Sequence, residues 1–155
     1  MPVKIFCCYA HEDEELLDKL KTHLRPLQRG GLIDVWHDRN ISAGTEWEQE
    51  IKEQLNAADI ILLLVSPDFM ASEYCYSIEM KRAMKRHEAK EACVIPVILR
   101  PVRWKRIPFS MLQALPKNAR PVTKWPNRDE AFSDVAEGIL NVVEELTKKM
   151  SNGAA

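Results

Sequence analysis

Ile60 to Val65 is an unbroken aliphatic run, reading IILLLV, with no polar residue to mark a wet face. Such a run is the pattern of a central strand in a parallel sheet, covered by helices on both sides. Ser66 and Pro67 stop it, because proline donates no backbone hydrogen bond and biases its predecessor away from helix. Ser72 is a good N-cap residue, so a new helix is expected there, with Cys75, Ile78 and Glu79 at neighbouring positions of one face. Glu79 would then stand at the edge of a face meant for the core.

The remaining elements follow the same logic. Val3 to Tyr9, β-branched and aromatic, reads as a first strand. A helix should follow through Leu16, Leu17, Leu20, Leu24 and Leu27, with Pro26 loosening its last turn and Gly30-Gly31 ending it. Leu32 to Trp36 reads as a short second strand, leading into the polar loop HDRNISAG. Trp47, Ile51 and Leu55 recur at helical spacing. Ala92 to Leu99 is a strand interrupted by Pro96, so one of its neighbours should be short or offset there. Arg100 to Pro121 looks like a long irregular connection, and Pro121-Val122-Thr123 reads as a brief fifth, edge strand. A final helix, from about Asp129 to Met150, repeats Phe132, Val135, Ile139, Val142 or Val143, and Leu146 on one face.

Alternating strands and helices argue for one doubly wound, flavodoxin-like α/β domain: a five-stranded parallel sheet with right-handed crossovers and helices on both faces. Ligands in such sheets bind beyond the carboxyl ends of the strands, where the strand order reverses. With order 2-1-3-4-5 that crevice falls between strands one and three. The loop after Tyr9 and the segment leading to Glu79 would then face each other.

Composition narrows the function. The chain has 155 residues, enough for one domain with its own core. Residues 1–150 form that domain, and the small, polar residues 151–155 read as a linker or disordered tail, the start of a connection to a further domain. With 22 basic against 23 acidic side chains there is no global field favouring nucleic acid. Lys81, Arg82, Lys85, Arg86 and Lys90, with Arg100, Arg103, Lys105 and Arg106, make a local basic surface. It lacks interleaved aromatics and is read as solvated or as a contact for an acidic patch on another copy. Cys7, Cys8, Cys75 and Cys93 form no C-x-x-C pair and are expected to be reduced, as in a cytoplasmic protein. The short apolar start of the chain is neither a signal peptide nor a membrane span.

Several chemistries are disfavoured. The turn after the first strand, YAHEDEE, has no glycine-rich loop for a dinucleotide pyrophosphate or a P-loop. A phospho-receiver domain needs an aspartate where this chain has Ser66-Pro67. His11, His23, His37 and His87 are scattered without a second ligand at zinc-like spacing, so no metal site is expected. Glu79 itself has a plain alternative as the exposed partner of Arg82, three residues on.

Three stretches, in order, carry a resemblance: KIFCCYAHEDE, WHDRNISAGTEWEQEI and SEYCYSIEM. Together they resemble the Toll/interleukin-1 receptor (TIR) domain family of prokaryotic type, over about residues 3 to 147. The resemblance implies one of two activities. Some members are adaptors acting through TIR–TIR contacts, and many prokaryotic members cleave nicotinamide from NAD with one glutamate, which Glu79 matches. By the same resemblance Tyr9, Ala10 and His11, the loop residues Asp38, Arg39 and Ser42, and Trp47 flank the substrate. Arg39 is offered as a phosphate partner, with a solvated loop arginine as the alternative. The family often has a tryptophan four residues before the glutamate, where this chain has Cys75, preceded by Tyr74. The proline frequent in the second-strand loop is absent as well.

The implied chemistry is consistent with a single acid. Glycosidases usually need two carboxylates, one of which protonates the leaving oxygen. Nicotinamide in NAD is already cationic and departs neutral. One ionised carboxylate then suffices to hold the ribose and stabilise its developing oxocarbenium charge. The expectation is therefore an NAD glycohydrolase yielding nicotinamide and ADP-ribose or a cyclic isomer. NAD is its substrate and no cofactor is required. Self-association would activate it, as the effector part of a prokaryotic defence or signalling protein with a C-terminal sensor domain. The alternative is a non-catalytic TIR scaffold in which Glu79 is structural.

Overall fold

The computed structural model describes residues 2–37, 44, 46–103 and 107–153 of the chain. Four parallel strands form one sheet in the order β2-β1-β3-β4: β1 is Val3–Cys8, β2 Ile33–Trp36, β3 Ile60–Val65 and β4 Cys93–Ile98. The order reverses between β1 and β3, which pair in parallel from Ile5 opposite Ile60 to Cys8 opposite Leu63. Every residue of β3 is fully buried, as its unbroken apolar run requires.

Crossover helices cover both faces. Helix α1 (Glu14–Arg29) and the long α5 (Arg128–Gly153) lie on one side. There Leu17, Leu20 and Leu24 meet Phe132, Val135, Ile139 and Val143 over the Ile5 and Cys7 side of β1. The other side carries α2 (Trp47–Ala57), the short α3 (Pro67–Ala71), a π-helical segment (Glu73–Glu79) and α4 (Met80–Glu88). Ile51, Leu55, Phe69, Cys75, Met80 and Ala83 pack there against Phe6, Cys8, Ile61 and Leu63. Cys7 and Cys8 therefore face opposite layers, as alternation along a strand demands. No described helix is long and apolar enough to cross a membrane.

Two expectations are corrected. Pro121-Val122-Thr123 is not a fifth strand; Val122–Lys124 is a 3-10 turn, with the Lys124 amide donating to the Pro121 carbonyl at 2.9 Å. Proline at its head fixes φ and supplies no donor for a ladder, while Val122 is buried as an apolar plug. Beyond β4 the sheet gains, among the described residues, only a parallel bridge between Val97 and Leu115. The Leu115 amide donates to Pro96 and its carbonyl accepts from Ile98. A proline in β4 thus coexists with a neighbour reduced to one residue, as anticipated.

The second correction concerns the face that carries Glu79. The Met80 amide donates to the Cys75 carbonyl, an i to i+5 bond that widens the turn. Cys75 and Glu79, four residues apart, share the buried side as expected, while the wider turn carries Ile78 away from it to solvent at 53 % exposure. Ser72 caps this segment as expected, its Oγ accepting from the Cys75 amide at 3.1 Å.

Candidate active site

At the carboxyl ends of β1 and β3 lies a cavity of about 420 Å³, within the range of roughly 300–1,000 Å³ usual for small-molecule sites. Its lining includes Tyr9, Ala10 and His11 from the turn after β1, Trp47 and Ile51 from α2, and Ser72, Tyr74, Cys75 and Glu79 from the segment after β3. All the described residues that the sequence singled out as site candidates are thus gathered around one hollow. Asp38, Arg39 and Ser42 lie outside the described residues, as do Trp104, Lys105 and Arg106.

Glu79 is 6 % exposed. A solvated partner of Arg82 would need an open carboxylate, so that plain alternative does not describe it. Its position follows from local structure: the Ser72 cap starts the segment, Glu79 lies four residues after Cys75 on the same buried side, and the adjacent Met80 is buried. Cys75 ties this segment to the first loop, its Sγ donating to the Tyr9 carbonyl at 3.2 Å. Burial pushes the Cys8 thiol, just below, well above its ordinary range; bonding to Cys75 and the nearby Glu79 add to the effect.

The mouth is aromatic. Trp47 and Tyr74 lie with ring centroids 4.9 Å apart and tilted by 39°, inside the separation at which aromatic pairs attract. Trp47 is 44 % exposed, so one face is open to a ring arriving from solvent. Desolvation, followed by the charge of Glu79, pushes the Tyr74 phenol up to about 12. Tyr9 is packed edge-on near His37, centroids 6.4 Å apart, and His37 accepts from Lys21 Nζ at 2.8 Å.

A second polar group, assembled from residues far apart in the chain, braces the site. Asp13 is 1 % exposed. It accepts from the Ser66 hydroxyl and, at 2.8 Å, from Arg100 Nε. Arg100 also binds Asp68, which lines the cavity. Ends of β1, β3 and β4 are thereby joined beside the hollow. Burial works against the charge of Arg100, but the bonds to Asp68 and Asp13 raise its pKa. Arg100, expected on the basic surface, is thus drawn in against two acids. Arg86, assigned to the same surface, instead closes the end of α2, donating to the carbonyls of Leu55 at 2.8 Å and Ala58 at 2.7 Å. His87 Nδ1 likewise accepts from the Val94 amide at 3.1 Å.

The parallel sheet in the order 2-1-3-4, with helices on both faces, defines the class of flavodoxin-like α/β domains. The chain belongs within that class to the TIR domain family, whose model matches residues 5–134. It is 48 % identical over 147 residues to the uncharacterized protein y4lF of Sinorhizobium fredii, a match that covers 95 % of this chain and 46 % of that protein. The chain therefore spans about half the length of that curated relative. Among solved structures it is similar to the TIR domain of the Toll-related receptor TRR-2 of Hydra magnipapillata. That likeness has a TM-score of 0.57 and 21 % identity, covering 72 % of this chain and 81 % of the other. It is also similar to the TIR domains of the activated Roq1 resistosome, with a TM-score of 0.51 and 20 % identity over 61 % of this chain and 56 % of that one. At such identities the likeness speaks for the fold.

Proposed function

We propose that this TIR domain is an NAD glycohydrolase with Glu79 as its catalytic carboxylate. The observation that carries the reading is the burial of Glu79 in the wall of the cavity, beneath the open Trp47–Tyr74 pair. The nicotinamide ribose end of NAD enters the hollow and its ring meets Trp47 or Tyr74. The bond between ribose C1′ and the ring nitrogen breaks, its electron pair neutralising the pyridinium as nicotinamide departs. Glu79 holds the ribose hydroxyls and stabilises the cationic sugar in a site of low dielectric, where a fixed charge counts most. Water then adds at C1′ and loses a proton to give ADP-ribose; attack by a group of the same molecule gives a cyclic isomer instead.

Activity is proposed to depend on self-association, in an effector domain joined to a sensor in a prokaryotic defence or signalling protein. Support comes from the likeness to the TIR domains of the activated Roq1 resistosome. The alternative scaffold reading draws on the exposed Ile78 beside Lys81, Arg82 and Lys85, an apolar contact with a basic rim.

The test is to incubate the chain, free and tethered into oligomers, with NAD and measure free nicotinamide. Release that Glu79→Gln lowers by about 100-fold or more supports the enzyme, since losing one group that stabilises a transition-state charge costs about that much. Silence under enforced assembly supports the scaffold.

A further inference from the structure

We propose that Cys8, Cys75 and Glu79 form a binding site for a thiophilic divalent cation of the zinc class, entered from the cavity. Cys8 Sγ, Cys75 Sγ and a carboxylate oxygen of Glu79 lie within 4.8 Å of one another, and all three residues are buried. Zinc takes thiolate sulfur at about 2.3 Å and carboxylate oxygen at about 2.0–2.2 Å in a tetrahedron. The ligand atoms of a loaded site stand about 3.5–3.8 Å apart on those bond lengths, so small side-chain rotations close this set around an ion. Two sulfurs select zinc-like cations over magnesium or calcium, which want oxygen alone.

The set is held from two directions. Cys8 ends β1, which is paired on both sides by β2 and β3. Cys75 and Glu79 share the inner side of the π-helical segment, and both line the cavity. Three protein ligands leave the fourth position to the cavity, as in open zinc sites. No local spacing announces such a site, because Cys8 lies on a strand and its partners on a distant helix. A packed core asks only for a small apolar side chain at Cys8; a thiol set against a buried acid offers a ligand pair. Binding must expel the thiol protons, which a divalent cation does by stabilising the thiolates.

Occupancy removes Glu79 from the sugar, so the cation blocks NAD cleavage. That consequence rests on the hydrolase reading; metal binding itself does not.

Cobalt(II), a spectroscopic stand-in for zinc, tests the site on the reduced chain. Expected is thiolate-to-cobalt charge-transfer absorption that zinc abolishes by displacement. Cys8→Ser and Cys75→Ser should each weaken binding beyond the ~10–100-fold that even outer-shell changes cost. Cys7→Ser, facing the other layer, and Cys93→Ser, at the start of β4, should leave it intact. Absence of the absorption in the wild-type chain overturns the site, as does its undiminished persistence in folded Cys8→Ser and Cys75→Ser. If those variants do not fold, X-ray absorption of the zinc-loaded wild-type chain decides. Two sulfur ligands with oxygen support the site, and any other sulfur count overturns it. Each assembled variant's nicotinamide release is then compared with its own zinc-free rate. Loss of release in the wild type but not in Cys8→Ser supports blocking, and release unchanged at saturating zinc overturns it. Cobalt binding by a chain that releases no nicotinamide in any assembly supports the site while the hydrolase reading fails.

Discussion

Arg100 reaches back across the sheet ends to Asp13, its Nε 2.8 Å from a carboxylate oxygen that is almost wholly buried. The pair closes a loop of contacts from β4 through the start of α1 to Ser66, and Asp68 extends it to the cavity rim. Removing one half of a buried pair leaves the other as an uncompensated charge, which costs about 3–5 kcal/mol. Arg100 is itself 31 % exposed, so Arg100→Ala is expected near the lower end of that range in urea unfolding. Arg100→Lys should recover part of the loss, because an ammonium replaces the charge but not the fork that spans both acids. A loss below about 1 kcal/mol, as for a surface pair, would show that this brace carries little.

Ser72 carries a smaller but more local load. Its hydroxyl accepts from the Cys75 amide and starts the segment that presents Glu79. Ser72→Ala should cost about 1 kcal/mol, the usual worth of an N-cap, and Ser72→Asp should restore it. Hydrogen exchange should quicken in residues 73–79 of the alanine variant more than in β3. Equal quickening in both would mean that the cap does not act locally.

How far these features were legible in the sequence depends on the range of the signal. Ile60–Val65 announced itself because a strand buried on both faces tolerates no polar residue, and the stripe through Phe132, Val135 and Ile139 fixed the buried side of α5. Glu79 was legible through family resemblance, and its place beside Cys75 through their spacing of four. That Ile78 leaves this face was not, because the i to i+5 bond that widens the turn leaves no mark in composition. Pro121-Val122-Thr123 has the residue types of an edge strand, and only the missing donor of Pro121 hints at the turn that forms. Asp13, Ser66 and Arg100 were unreadable as a group, since contacts across so many residues have no spacing to detect.

The Tyr74 phenol gives a pH signature. Desolvation and the Glu79 charge push it up to about 12 from the ordinary 10.0, so the folded state holds this proton more tightly than the unfolded chain does. The stability linked to it is complete below about pH 10 and is lost as pH rises toward about 12. Titration followed by near-ultraviolet tyrosinate absorption in Tyr9→Phe and Tyr76→Phe backgrounds should show a late transition. Glu79→Gln should move it earlier, because it removes the charge but not the burial. A Tyr74 transition near 10 in the parent would contradict the burial described here.

Trp47 separates binding from chemistry. It lines the cavity beside Tyr74, ring centroids 4.9 Å apart, and is 44 % exposed, so under the hydrolase reading its indole is available to stack on a ring of the substrate. Stacking of a base on an aromatic side chain is worth about 1–3 kcal/mol, and every 1.4 kcal/mol is about tenfold in affinity. Under the hydrolase reading, Trp47→Ala should raise KM by about tenfold or more while kcat falls by less than about threefold, since an interaction made equally before and during reaction does not alter the chemical step. Trp47→Phe should recover most of the affinity. Steady-state kinetics on the assembled chain checks this, and a fall in kcat with KM unchanged would place Trp47 in the chemistry, acting on the sugar beside Glu79.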